Sequence, residues 1–148
     1  MSLLLETPQQ YYITLLRLIQ NSSESIITTF GVFCGITYNA DISAKFPNKD
    51  REFLDSIADY ENLDVVVGVG GFTPYKKNCD DCLLSYARRT LRIEKHRELY
   101  PKINWYLCES LHSKVSAFKL KNGKYIAIIG SRNFTGSNNF EIAVPIED

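Results

Sequence analysis

The chain has 148 residues, 45% of them hydrophobic and 23% charged, which suits one globular domain with a real buried core. No apolar run reaches membrane-spanning length, and the opening MSLLLE lacks the basic start and cleavage pattern of a secretory leader, so the expectation is a soluble, cytoplasmic chain with no membrane partner. Seventeen Lys/Arg balance seventeen Asp/Glu, which argues against a uniformly basic surface, yet residues 1–64 hold four Lys/Arg against nine Asp/Glu and residues 65–148 thirteen against eight.

From Pro8 to Gln20 the positions Tyr11, Tyr12, Leu15, Leu16, Leu18 and Ile19 recur at helical spacing, with Thr7 as N-cap and Pro8 in the first turn. Asn21-Ser22-Ser23 ends that helix. Ser25 to Cys34 is β-branched and aromatic enough for a buried strand, and Asn48 to Tyr60 predicts a second helix with Phe53, Leu54 and Ile57 on one face. Leu63 to Val69 is a nearly continuous apolar strand of the kind buried on both sides. Gly68, Gly70 and Gly71 follow it, but the dinucleotide fingerprint is incomplete and Pro74 falls where its helix should begin, so these glycines read as a sharp turn off a strand end.

A third helix is expected from about Asp80 to Leu99, with Leu83, Leu84, Ala87, Leu91 and Ile93 inward and Arg88, Arg89, Arg92, Lys95 and Arg97 outward. That basic face suits either a nucleic-acid backbone or plain solvation balanced by Glu94 and Glu98. His96, in the same charged helix, reads as a surface residue. Ile103 to Cys108 is a strand leading to a second one that starts at His112. The alternation of strands and helices predicts an α/β fold, a mixed sheet covered by helices on both faces.

The stretch from His112 to Glu141 holds the chemistry. His112 and Lys114 are two apart, so on a strand both point to one face. Asn122-Gly123 marks a hairpin turn, and KYIAIIG returns the chain to Gly130-Ser131-Arg132-Asn133, where backbone N–H groups, a hydroxyl and an amide can surround an anion. Glu141 opens a last apolar run. Between His112 and Arg132 there are five basic residues (Lys114, Lys119, Lys121, Lys124 and Arg132) and no acid. A nucleophile, cations and hydrogen-bond donors together read as a phosphodiester-handling site. Lys119, Lys121 and Lys124 fit that footprint or simply solubilise a hairpin tip.

The pattern of His112, Lys114, Gly130, Ser131, Asn133 and Glu141 resembles the phospholipase D superfamily, in which two such half-sites cleave a phosphodiester. Lys119 stands where the superfamily carries an Asp, and with the longer hairpin this resembles its metal-independent restriction endonucleases more than its lipases. The resemblance implies a phospholipase D-like sheet with one half-site per chain, acting on DNA, most naturally double-stranded, as a homodimer with the site on the two-fold axis. It implies catalytic roles for His112, Lys114, Asn133 and Glu141, substrate contacts from Gly130, Ser131, Arg132 and Lys119, and no metal or other cofactor. Residues 1–148 then form one catalytic domain. The lack of a covering helix after Glu141 suggests the N-terminal part of a longer protein.

Two other readings differ in class. A phospholipase D-type lipid phosphodiesterase needs an apolar entry surface that the sequence does not display. A non-catalytic nucleic-acid-binding module would keep the phosphate-gripping residues without turnover, and Lys119 is the feature that favours it. Cys79 and Cys82 form a C-x2-C pair, but Cys108 and His96 lack the paired spacing of a zinc site, so free thiols are expected.

Overall fold

The computed structural model describes residues 8–30, 49–68, 93–108, 111–130 and 143–147. Helix α1 (Pro8–Gln20) buries Tyr11, Tyr12, Leu15 and Ile19. Its last carbonyls are satisfied locally: Asn21 Nδ2 donates to the Arg17 carbonyl (2.7 Å) and Ser22 Oγ to that of Leu18 (2.6 Å). The chain turns directly into strand β1 (Ser22–Phe30), then helix α2 (Lys49–Ile57), β2 (Leu63–Gly68), a helical segment α3 over 93–99, β3 (Asn104–Cys108), β4 (Val115–Leu120), β5 (Tyr125–Gly130) and β6 (Ala143–Glu147).

These strands make one six-stranded sheet in the order β3-β2-β1-β4-β5-β6. β1, β2 and β3 are parallel, whereas β4 runs antiparallel to β1, β5 to β4 and β6 to β5, so the mixed sheet expected from the sequence is present. The outermost strands are β3 and β6. Pro145 lies in β6 opposite Ile128, and on β3 the Trp105 carbonyl accepts a hydrogen bond from Arg97 (2.9 Å).

Alternation along the strands sorts side chains onto two faces. One face carries Ile27, Leu63, Val65, Val67, Trp105, Phe118 and Ile128, all buried against Tyr11, Tyr12, Leu15, Phe53, Leu54, Ile57, Ile93 and Tyr100. Tyr12 stacks on Phe53 with ring centroids 4.9 Å apart, and the Tyr100 hydroxyl donates to Asp55 (2.7 Å), linking the chain after α3 to α2. The other face displays Ile26, Tyr106, Tyr125 and Ile129 to solvent, Tyr125 at 54% and Ile129 at 47% exposure. The described helices therefore share one face of the sheet, which departs from the two-face covering expected from the alternation. Periodicity within a helix says which of its sides is apolar and nothing about which side of the sheet it takes.

Several expectations change in detail. Strand β1 begins three residues earlier than Ser25, and the predicted end at Cys34 lies outside the described residues, as do Gly70, Gly71, Cys79, Cys82 and the start of the third helix. His96 is the clearest correction. It is fully buried, its ring edge-on to Trp105 at 5.1 Å and tilted against Tyr100. His96 follows Ile93 by three residues and precedes Tyr100 by four, so it occupies the inward stripe despite its charged neighbours.

Two of the three hairpin lysines have partners. Lys119 pairs across the strands with Glu24 (3.0 Å), and Lys121 Nζ donates to the Gln20 carbonyl at the C-terminus of α1 (2.9 Å). Gly123 closes the turn with φ of 86°, where its N–H donates to the Leu120 carbonyl (2.9 Å). A three-residue loop of this kind needs one left-handed position, and glycine takes it without a Cβ penalty.

Candidate active site

The chain lays strands outward from β1 to β3 and then crosses back to place β4 on the other side of β1. Between β1 and β4 the connections leave in opposite directions. In open α/β sheets such a switch point, at the carboxyl ends of the parallel strands, is where ligands bind. β1, β2, β3 and β5 all finish at this end, and β4 and β6 start there. His112 and Lys114 sit just ahead of Val115, the first residue of β4, and so lie at this end of the sheet.

The two residues are not in the strand, contrary to the sequence expectation. The β1–β4 ladder ends with Ile27 opposite Ser116, and residues 111–114 have no regular secondary structure. Their side chains nevertheless meet. Lys114 Nζ lies 2.9 Å from His112 Nδ1, 3.5 Å from Nε2 and 2.9 Å from the His112 carbonyl oxygen. An ammonium can only donate, so whichever ring nitrogen accepts from it carries the lone pair, and Nδ1 is the nearer of the two. His112 is exposed and Lys114 half-buried, leaving the pair open to a large substrate.

Gly130 joins them. Its N–H donates to the Lys114 carbonyl (3.1 Å), and across the next pair it stands opposite Ala143, where β6 begins. β5 thus ends at Gly130 opposite Ala143, the first residue of β6. Ser131, Arg132, Asn133 and Glu141 come between these points in sequence and lie outside the described residues. Lys119 is not brought to this end. It stands five residues beyond Lys114 along β4, where the strand geometry spaces the two by roughly 16 Å, and it is hydrogen-bonded to Glu24. That ion pair raises the Lys119 pKa, first through the hydrogen bond and then through the charge of Glu24.

One residue at this end escaped the sequence reading. Thr28 Oγ1 lies 2.9 Å from both the backbone nitrogen and the carbonyl oxygen of Val115, and 3.1 Å from Ser113 Oγ. A threonine inside a strand carries no mark of a partner some 85 residues away. Cys108, half-buried, also ends β3 here, opposite Gly68. Among the described residues no three His, Cys, Asp or Glu side chains stand close enough to hold a metal ion, and no helix is long and apolar enough to cross a membrane. A cleft of about 430 Å³ opens near the opposite end of the sheet, lined by Glu24, Asp64, Asn104, Lys119 and Tyr125. Four of its polar side chains are engaged in pairs, Asn104 with Asp64 and Lys119 with Glu24.

No family model matches the chain, and no curated protein matches it by sequence. Solved structures do. A histidine-to-alanine variant of yeast tyrosyl-DNA phosphodiesterase superposes with a TM-score of 0.51 at 14% identity, over 98% of this chain and 31% of that one. Another variant of the same yeast enzyme gives 0.50 at 15% identity, over 98% and 30%. The chain shares the fold of about a third of that yeast phosphodiesterase. This chain spans about a third of the length of those structures.

Proposed function

We propose that the chain is one half-site of a metal-independent phosphodiesterase that hydrolyses DNA through a covalent phosphohistidine, in the manner of a restriction endonuclease catalytic domain. The observation that carries the reading is the convergence of His112, Lys114 and Gly130 at the switch-point end of a phospholipase D-like sheet. A phosphodiester resists attack because its charge repels nucleophiles and its leaving alkoxide is poor. The Lys114 ammonium answers the first difficulty by binding the non-bridging oxygens. A phosphate oxygen is a stronger acceptor for it than a ring nitrogen, so substrate draws Lys114 off His112 Nδ1. The freed Nδ1 then takes the proton and donates it in a hydrogen bond to Glu141, which leaves the Nε2 lone pair for phosphorus.

His112 attacks, the bond from phosphorus to the leaving oxygen breaks, and the second copy's His112 supplies the proton to that oxygen. That second histidine, now neutral, takes a proton from water as the water attacks the phosphohistidine and frees His112. Gly130, Ser131 and Asn133 donate to the oxygens as charge develops, and Arg132 contacts the neighbouring phosphate. A single His-x-Lys per chain makes a homodimer the smallest complete site, its two motifs facing across a two-fold axis.

The test is cleavage of plasmid DNA in excess EDTA by the wild type and by His112→Ala, with the mass of each assembly measured in parallel. Cleavage by a wild-type dimer and none by an equally assembled His112→Ala protein supports the reading; cleavage that survives the substitution ends it. A lipid phosphodiesterase is a second reading, favoured by the exposed Ile129 beside Gly130 and by Tyr106 on the same open face. Hydrolysis of phosphatidylcholine vesicles with no cleavage of DNA would select it.

A further inference from the structure

The geometry points to Thr28 as a positioning residue for the His112–Lys114 segment, a role that rests on the phosphodiesterase reading for its catalytic consequence but not for its structural basis. The β1–β4 ladder ends at Ile27 opposite Ser116, and one step further the side chain of Thr28 takes over from the backbone. The Val115 N–H donates to Thr28 Oγ1 at 2.9 Å. The Thr28 hydroxyl in turn donates to the Val115 carbonyl at 2.9 Å, its nearest carbonyl acceptor, with the Ser113 carbonyl further off at 3.3 Å. Ser113 Oγ, at 3.1 Å, can supply the second bond that the hydroxyl oxygen accepts. One donor and two lone pairs are thereby used in full.

Three of these contacts grip the residues that flank Lys114 on both sides, and Ser113 is the middle residue of the His-x-Lys motif. On the other side Gly130 N–H holds the Lys114 carbonyl at 3.1 Å. The segment is therefore clamped between β1 and β5 although it belongs to no strand. Without the hydroxyl, β4 would begin to lift from β1 at Val115, and the ammonium and the imidazole would lose their common base. Thr28 touches neither side chain, so it acts through the backbone. A misplacement of about 1 Å at a reacting group costs on the order of a hundredfold in rate.

Thr28→Val keeps the shape and removes the hydroxyl, and Thr28→Ser keeps the hydroxyl and removes the methyl group. Two measurements read them. In the first, steady-state cleavage of a small phosphodiester such as bis(p-nitrophenyl) phosphate should show kcat down roughly ten- to hundredfold in Thr28→Val with KM within about twofold, and Thr28→Ser within about threefold of wild type. In the second, amide hydrogen exchange should show the Val115 N–H losing protection in Thr28→Val, with that of Phe118, deeper in the same strand, unchanged. Unaltered kcat in Thr28→Val, or equal damage from Thr28→Ser, overturns the positioning role and leaves only methyl packing. If the wild type cleaves no phosphodiester, the functional reading fails, and the Val115 amide still decides whether Thr28 anchors the segment.

Discussion

Removing the charge of Lys114 while keeping its length, as in Lys114→Met, tests the site most directly. Its Nζ sits 2.9 Å from a ring nitrogen of His112 and 2.9 Å from the carbonyl of the same residue, so the stem is already held in the place a phosphate oxygen would approach. A unit charge about 4 Å from a phosphate charge is worth about 1 kcal/mol in water and about 4 kcal/mol at an effective dielectric of about 20. Lys114 is half-buried beside an exposed histidine, so the interaction falls between those limits. At about 1.4 kcal/mol per decade this spans roughly fivefold to a thousandfold in kcat/KM, centred near a hundredfold. Lys114→Arg keeps the charge, but a planar fork cannot reproduce contacts to a ring nitrogen and a carbonyl on one neighbour, so it should recover only part of the loss. Single-turnover cleavage of a defined oligonucleotide in EDTA, at low and at high salt, measures all three proteins. Lys114→Met within twofold of wild type would refute the assignment of the ammonium to the phosphate.

The remaining predictions concern the scaffold. Phe118, at 1% exposure in the centre of β4, anchors the core beneath the site, and Phe118→Ala should cost about 3–5 kcal/mol in urea unfolding; a cost under about 1 kcal/mol would mean that the helices do not pack there. Gly123→Ala meets no atom within 4 Å, so only its φ of 86° opposes it, and destabilisation by about 1–2 kcal/mol is expected with the hairpin retained by NMR. Asp59 and Lys102 form an exposed pair at 2.9 Å whose hydrogen bond lowers the Asp59 pKa and raises that of Lys102. The pair's small contribution is present at neutral pH, is lost as pH falls through the lowered Asp59 value and is lost again as pH rises through the raised Lys102 value. The difference in Tm between wild type and Lys102→Met should therefore be largest near pH 7 at low salt and vanish at pH 2; a constant difference across pH would assign it to packing of the lysine stem.

The elements were legible wherever one face of a segment is apolar. Pro8–Gln20 matches its predicted helix end to end, and Leu63–Gly68 and Tyr125–Gly130 follow their apolar runs closely. Partnership was not legible. Nothing in the run Ser22–Phe30 states that β4 will pair with it in antiparallel register, and so neither the Thr28 clamp nor the Glu24–Lys119 pair could be read from either segment alone. His112 and Lys114 stand out in the sequence because their chemistry is unusual at that spacing, and their side chains do meet, although the strand expected to align them starts only at Val115. His96 was misplaced because its charged neighbours outweighed its position in the Ile93–Tyr100 stripe. Of the two readings open for the hairpin lysines, the contacts of Lys119 with Glu24 and of Lys121 with the end of α1 favour the structural one.

The two rims of the sheet restrict how copies of this chain can assemble. A strand added to either rim needs an unbroken row of backbone donors and acceptors. β6 carries Pro145, which has no N–H to offer, and on β3 the Trp105 carbonyl is already bonded to the Arg97 guanidinium. Lateral growth into a continuous two-chain sheet is thereby discouraged at both ends of the strand order. Association is steered toward the strand termini, where His112 lies, and toward the face that displays Ile26, Tyr106, Tyr125 and Ile129. Blocked at both described rims, the sheet leaves its strand ends and its open face for contacts, which works against open-ended lateral polymerisation.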